Sequence, residues 1–129
     1  MSATIISPPD LFHSPAFSHG VSKTGRLLYV AGQLPLDAEG NCVGVGDIGA
    51  QVDRVWFQIE RVLEEAGGSL ADLVKITSYI VDPEHVRPVV DSRFTRFEEG
   101  RVPASALLIV AGLARPEFLV EIEGVAILD

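Results

Sequence analysis

The chain has 129 residues, 47 % of them hydrophobic, with 18 acidic against 10 basic side chains and a formal net charge of −8. That length and composition predict one domain, residues 1–129, with a substantial core. The negative charge opposes nucleic acid, which is held by Lys and Arg on phosphates, and equally an anionic membrane surface. The single cysteine, Cys42, leaves no internal disulfide and fits a reducing, cytoplasmic setting.

The opening MSATIISPPD has no basic and apolar leader, and no apolar run approaches the ~20 residues of a membrane span. A short strand is expected at residues 3–6. Three prolines in SPPDLFHSP, residues 7–15, predict an irregular segment. AFSHGV and RLLYVAGQLP then read as two strands joined by the turn SKTG, which predicts a hairpin. A Gly- and Asp-rich loop, residues 36–47, follows. Ile48, Val52, Val55, Ile59, Val62, Leu63 and Ala66 recur at helical spacing, with Asp47 as N-cap and Gly67 just past the end, so a helix is expected over 48–66. VKITSYIVD is a β-branched strand. A second helix is expected from Pro83 to Gly100, with Val86, Val89, Val90, Phe94 and Phe97 on one face. The last strands, PASALLIVAGL and PEFLVEIEGVAIL, are expected to pair antiparallel across the corner at residues 114–116.

This order predicts an α+β fold: a mixed sheet of about six strands with two helices packed on one face, because strand–helix–strand crossovers share one handedness. The other sheet face needs a cover. SALLIV is apolar at nearly every position, which suggests burial on both sides. A second copy of the chain is the obvious cover, so a homo-oligomer is expected.

Gly44, Gly46 and Gly49 match GxGxxG, but no apolar strand precedes them and Asp47 sits where a phosphate should, so the stretch reads as a loop with a helix cap. His13, His19 and Cys42 match no zinc spacing, and no metal site is expected. Ser18 and His19 are adjacent and point to opposite faces, a poor nucleophile–base pair. Trp56 reads as core or interface, and Arg93, Arg96 and Arg101, mixed with Glu98 and Glu99, as a solvated helix face. Glu121 and Glu123 share one face of the last strand. A half-buried carboxylate is costly unless paired. Two readings stay open: a salt bridge or wet oligomer seam, and a carboxylate that positions a water in a cleft.

Three segments together, YVAGQLPLDAEG, ADLVKITSYIVD and PASALLIVAGLARPEFLVEIEGVAI, resemble the Rid (YjgF-like) family of imine and enamine deaminases, also known as endoribonuclease L-PSP homologues. The resemblance runs from about residue 17 to 127 and rests on Gly32-Gln33-x-Pro35 and the closing E-I-E strand. It implies a chorismate-mutase-like fold and a homotrimer whose sheets form a central barrel, with a small-molecule cleft at each subunit interface. It also implies hydrolysis of an amino-acid-derived imine or enamine to a keto acid and ammonia without a metal or organic cofactor.

Carried over residue by residue, the resemblance makes Glu121 the water-activating acid and retains Gly32. The family's substrate-gripping arginine is Ser105 here, which offers neither charge nor fork. Its tyrosine is Phe17, its serine Ala31, its helix asparagine Val90 and its cysteine Leu107. The expected cleft of Phe17, Ala31, Gly32, Ser105, Leu107 and Glu121 is thus more apolar. Standard 2-iminopropanoate-type deamination is not expected of it, unless Arg115 swings in as a substitute. The alternative is a non-catalytic ligand-binding trimer. A ribonuclease or translation inhibitor is disfavoured by the charge.

Overall fold

β6 (Val120–Leu128) shows how the chain decides its layers. Every even residue of this strand is buried and every odd residue only half-buried, the two-residue period of a sheet with one face on the core. The computed structural model describes residues 3–129. In chain order it holds β1 (Thr4–Ile6), β2 (Gly20–Ser22), β3 (Arg26–Gln33), α1 (Ile48–Glu65), β4 (Leu73–Ile80), α2 (Val86–Asp91), β5 (Ala104–Ile109) and β6.

β3, β6, β4 and β5 form one sheet in that order. β6 lies antiparallel between β3 and β4, and β4 and β5 run parallel. β1 and β2 form a separate antiparallel ribbon. Val30, Ile76, Ile80, Val120, Ile122 and Ala126 of the sheet pack on Val52, Val55, Trp56, Ile59 and Leu63 of α1 and Val89 of α2. Both helices therefore cover the same face, as the crossover rule requires.

The expected strands and first helix form, except that the strand expected over residues 16–21 is confined to Gly20–Ser22, and the capping is as the sequence predicts: Asp47 accepts from the Ala50 N–H at 3.1 Å. Three expectations are corrected. β2 does not form a hairpin with β3: it pairs with β1, and β3 pairs with β6. β5 and β6 are not partners, because β6 inserts between β3 and β4 and leaves β5 on the far side of β4. The second helix ends at Asp91 rather than at Gly100 and begins after a 3₁₀ turn, Pro83–His85. Ser92 explains that end: its hydroxyl donates back to the Val89 carbonyl at 2.6 Å and accepts the Trp56 indole N–H at 2.9 Å, a side-chain alternative to the helical ladder. Trp56 itself is core, 1 % exposed.

The sheet face away from the helices carries Leu27, Tyr29 and Leu108, 52, 74 and 42 % exposed. Burial of β5 on both faces is not met within one copy.

Candidate functional site

Glu121 is placed by its strand and given room by a glycine. β3 bulges between Val30 and Gln33 opposite β6, and Gly32 lies in that bulge. A Cβ added at Gly32 would stand 1.9 Å from Glu121 Oε2, so only a bare backbone lets the carboxylate lie there. Ala31, exposed, adjoins it on β3.

The β4–β6 register sets Glu121 opposite Tyr79 and Glu123 opposite Thr77. The Tyr79 hydroxyl donates to Glu123 Oε1. Of the two readings open for the pair, Glu123 is thus held by a phenol within the same chain. This hydrogen bond, then desolvation and the charges of both glutamates, hold the Tyr79 phenol above its ordinary value. Glu121 and Glu123 line an open cavity of about 260 Å³ with Tyr79, Val110, Gly112 and Leu113. Burial first, and the Glu123 charge second, push the Glu121 carboxyl above the ordinary 4.5. A raised carboxyl is a better proton acceptor once ionised, which suits it to draw a proton from water.

The remaining expected residues stand elsewhere in the chain. In the parallel β4–β5 register Ser105 lies opposite Ile76 and Leu107 opposite Ser78. Both therefore share the helix-facing side of the sheet, at its β5 edge, and Leu107 packs against the core. The segment carrying Phe17 runs beside this edge: Ser18 N donates to the Pro103 carbonyl at 3.2 Å, and Ser18 bridges Ala104. Phe17 meets His19 edge to face at 5.3 Å. The expected residues thus fall into two separate groups, Gly32 with Glu121 on the open face and Phe17, Ser105 and Leu107 at the β5 edge.

Arg115 lies over the Phe118 ring at 5.1 Å. Arg93 departs from the sequence reading: it is 3 % exposed and not on a solvated face. Its Nη1 donates to the Ala16 carbonyl at 3.1 Å. Arg96 pairs with Asp53 at 2.9 Å, and Arg101 lies 3.7 Å from Glu98 on the surface. The helical period that put Arg93 outside stops at Asp91, so that period could not place it. The Tyr79–Glu123 contact was likewise hidden, since it depends on β6 pairing with β4.

His13 meets Ser7 at 3.2 Å, His19 meets the Phe12 carbonyl at 2.6 Å, and Cys42 lies beside Gln51. A larger cavity of about 440 Å³ opens beneath the β1–β2 ribbon. It contains none of the expected site residues, and its buried Lys23 is paired with Asp72 at 2.9 Å and Asp129 at 3.4 Å.

Comparison with known proteins adds the following. The sequence model of the endoribonuclease L-PSP family matches residues 11–128. A RutC family protein of Pyrococcus abyssi is 38 % identical over 104 residues, 81 % of this chain and 80 % of its own. Among solved structures, the YyfB protein of Yersinia pestis, of the conserved Rid family and described as of unknown function, superposes with a TM-score of 0.92 at 34 % identity, covering 99 % of this chain and 100 % of its own. RidA of an Antarctic Psychrobacter superposes with a TM-score of 0.73 at 28 % identity, covering 95 % and 94 %.

Proposed function

The chain belongs to the Rid (YjgF-like, endoribonuclease L-PSP) family, and from that premise we propose that it is a metal-free hydrolase of C=N bonds in an imine- or enamine-like metabolite. Glu121 holds and activates the water. The observation that carries this reading is the Glu121 carboxylate: it lies over the bare backbone of Gly32, faces a cavity, and its affinity for a proton is raised. Water attacks the imine carbon as Glu121 takes its proton. Glu121 passes that proton to the nitrogen to give a carbinolamine, and then carries the carbinolamine hydroxyl proton to the same nitrogen, so that ammonia leaves as the carbonyl forms.

The two half-sites on opposite faces favour a cleft completed between subunits of a homotrimer. One copy contributes Ala31, Gly32 and Glu121, and its neighbour contributes Phe17, Ser105 and Leu107. The uncovered apolar sheet face supplies the reason to assemble. Ser105 offers no bidentate grip on an α-carboxylate, so turnover of 2-iminopropanoate is expected to be poor.

A panel of imines, assayed by ammonia release, tests the reading. Glu121→Gln is expected to abolish turnover of any substrate found while leaving the oligomer intact. Full activity in that variant sinks the catalytic role. A blank panel combined with saturable binding of small ligands supports instead a non-catalytic ligand-binding trimer.

A further inference from the structure

Two carboxylates of one kind line the Glu121 cavity, and only one of them has a donor. Glu121 and Glu123 stand two residues apart on the open face of β6, about 7 Å along the strand. Tyr79 lies opposite Glu121 in the β4–β6 register, yet its hydroxyl reaches diagonally to Oε1 of Glu123, a span that an aromatic side chain can cover. Among the described residues no group donates to the Glu121 carboxylate. The other groups on this face leave the asymmetry standing. β3 offers the Gly32 backbone and Tyr29, which lies opposite Val125. β4 offers Lys75, likewise opposite Val125, which forms no ion pair with either glutamate among the described residues. Leu108 of β5 lies opposite Tyr79, and Val110, Gly112 and Leu113 complete the cavity without charge.

A carboxylate that accepts from a phenol is favoured in its ionised form, and a second negative charge beside it is disfavoured. The tyrosine thus decides where a proton goes when one arrives: Glu123 keeps its charge and Glu121 receives the proton. Burial of Glu121 acts in the same direction, and the Glu123 charge adds to it. Tyr79 keeps its own proton throughout, because its hydrogen bond to Glu123 first and desolvation second hold the phenol above its ordinary value. The donor therefore persists across neutral pH.

We propose that Tyr79 is a positioning residue which, through Glu123, makes Glu121 the member of the pair that takes up and gives back a proton. This rests on the reading of Glu121 as the acid that handles the water, and it deepens that reading by naming what separates Glu121 from an otherwise equivalent neighbour. Tyr79 acts at one remove: its hydroxyl touches Glu123, and the charge held on Glu123 acts on Glu121. No proton leaves the phenol. In the reaction the proton of the attacking water moves to the Glu121 carboxylate and from there to the substrate nitrogen, while Glu123 stays a fixed negative charge beside it. Two carboxylates sharing one cavity are thereby given different tasks by a third side chain.

The test reads the protonation of Glu121 directly and needs no substrate. The assembled protein is labelled with ¹³C at the glutamate carboxyl carbons, the Glu121 signal is assigned by its loss in Glu121→Gln, and its titration is followed in each variant. Circular dichroism and native mass spectrometry monitor fold and assembly. Glu123→Gln is expected to lower the Glu121 midpoint by about half a pH unit, and Tyr79→Phe by roughly half that amount. The double variant Tyr79→Phe/Glu123→Gln is expected to match Glu123→Gln alone, because Tyr79 acts only through the Glu123 charge. An unchanged midpoint in Tyr79→Phe overturns the proposal. So does a Tyr79→Phe effect that persists once Glu123 is glutamine, which makes the tyrosine a packing residue. An unchanged midpoint in Glu123→Gln overturns it without reference to position 79. With a substrate in hand, the acid limb of kcat/KM is expected to follow the Glu121 midpoint from variant to variant. A limb that stays fixed while the carboxyl moves leaves the proton assignment standing and removes Glu121 as the base.

Discussion

Glu121 and Gly32 act as one device, and each makes a prediction about the other. A methyl at position 32 meets a carboxylate oxygen at 1.9 Å, and because that oxygen ends a flexible side chain, the carboxylate moves rather than the strand. Gly32→Ala is expected to change stability by no more than about 1 kcal/mol while lowering turnover at least about tenfold, which corresponds to 1.4 kcal/mol of transition-state stabilisation. Loss of the fold, or undiminished turnover, contradicts the arrangement. The raised carboxyl of Glu121 gives opposite signs for activity and stability. As pH falls through its folded-state pKa, which lies above 4.5, the base is protonated and the rate drops. The folded chain holds that proton more tightly than the unfolded chain, so ionised Glu121 destabilises the fold above its folded pKa. The penalty fades as pH falls toward 4.5. Thermal unfolding should accordingly find Glu121→Gln more stable than wild type at neutral pH, with the gain shrinking toward acid. A gain independent of pH rules out this origin. The groups facing Glu121 are Glu123 from its own strand and Tyr79 from β4, with the Gly32 backbone of β3 below. Glu121 was legible in the sequence because alternation marks a half-buried carboxylate and the E-I-E strand matched a known pattern. Arg93 was not, because its burial depends on where α2 stops.

Individual elements were easier to read than their partners. β3, α1, β4 and β6 follow from local period and caps, which the chain carries at short range. Strand order is a long-range property, and adjacency in sequence pointed to the wrong neighbours for both β2 and β5. What seats β6 beside α1 includes a polar clamp that no period reveals. Gln51, fully buried in α1, donates through Nε2 to the Glu117 carbonyl at 2.9 Å and the Gly44 carbonyl at 3.1 Å, and its Oε1 accepts the Leu119 N–H at 2.8 Å. It fastens the entry to β6 and the loop before α1 to one helix position. Gln51→Leu keeps the size and leaves buried backbone groups without partners, each worth about 1–3 kcal/mol. Denaturant unfolding should show a loss of about 3 kcal/mol with an unchanged slope. A loss below about 0.5 kcal/mol means that the clamp is not what holds β6 to the helix.

At the scale of the molecule, the sheet is half covered, and the proposed cleft is half built in the same copy. These are one problem with one solution. The helices protect the face bearing Val30, Ile76 and Ile122, while the opposite face leaves Leu27, Tyr29 and Leu108 in water. Leaving such side chains exposed forgoes roughly 1.5–3 kcal/mol for each large one that association could bury. A formal charge of −8 per chain opposes association, so three chains together carry −24, three times −8. The apolar face has to outweigh that repulsion, and added salt, which screens charge but not apolar contact, should strengthen the assembly. Leu27→Glu places a further charge on this face, at its β3 edge, without touching Gly32, Glu121 or the half-site at β5. Native mass spectrometry should find wild type as a trimer and Leu27→Glu as a monomer that keeps its secondary structure by circular dichroism. If turnover depends on a cleft completed by a neighbour, that monomer loses it although every residue of the half-site built around Glu121 is intact. Activity that survives in the monomer places the whole reaction within one chain and removes the shared cleft.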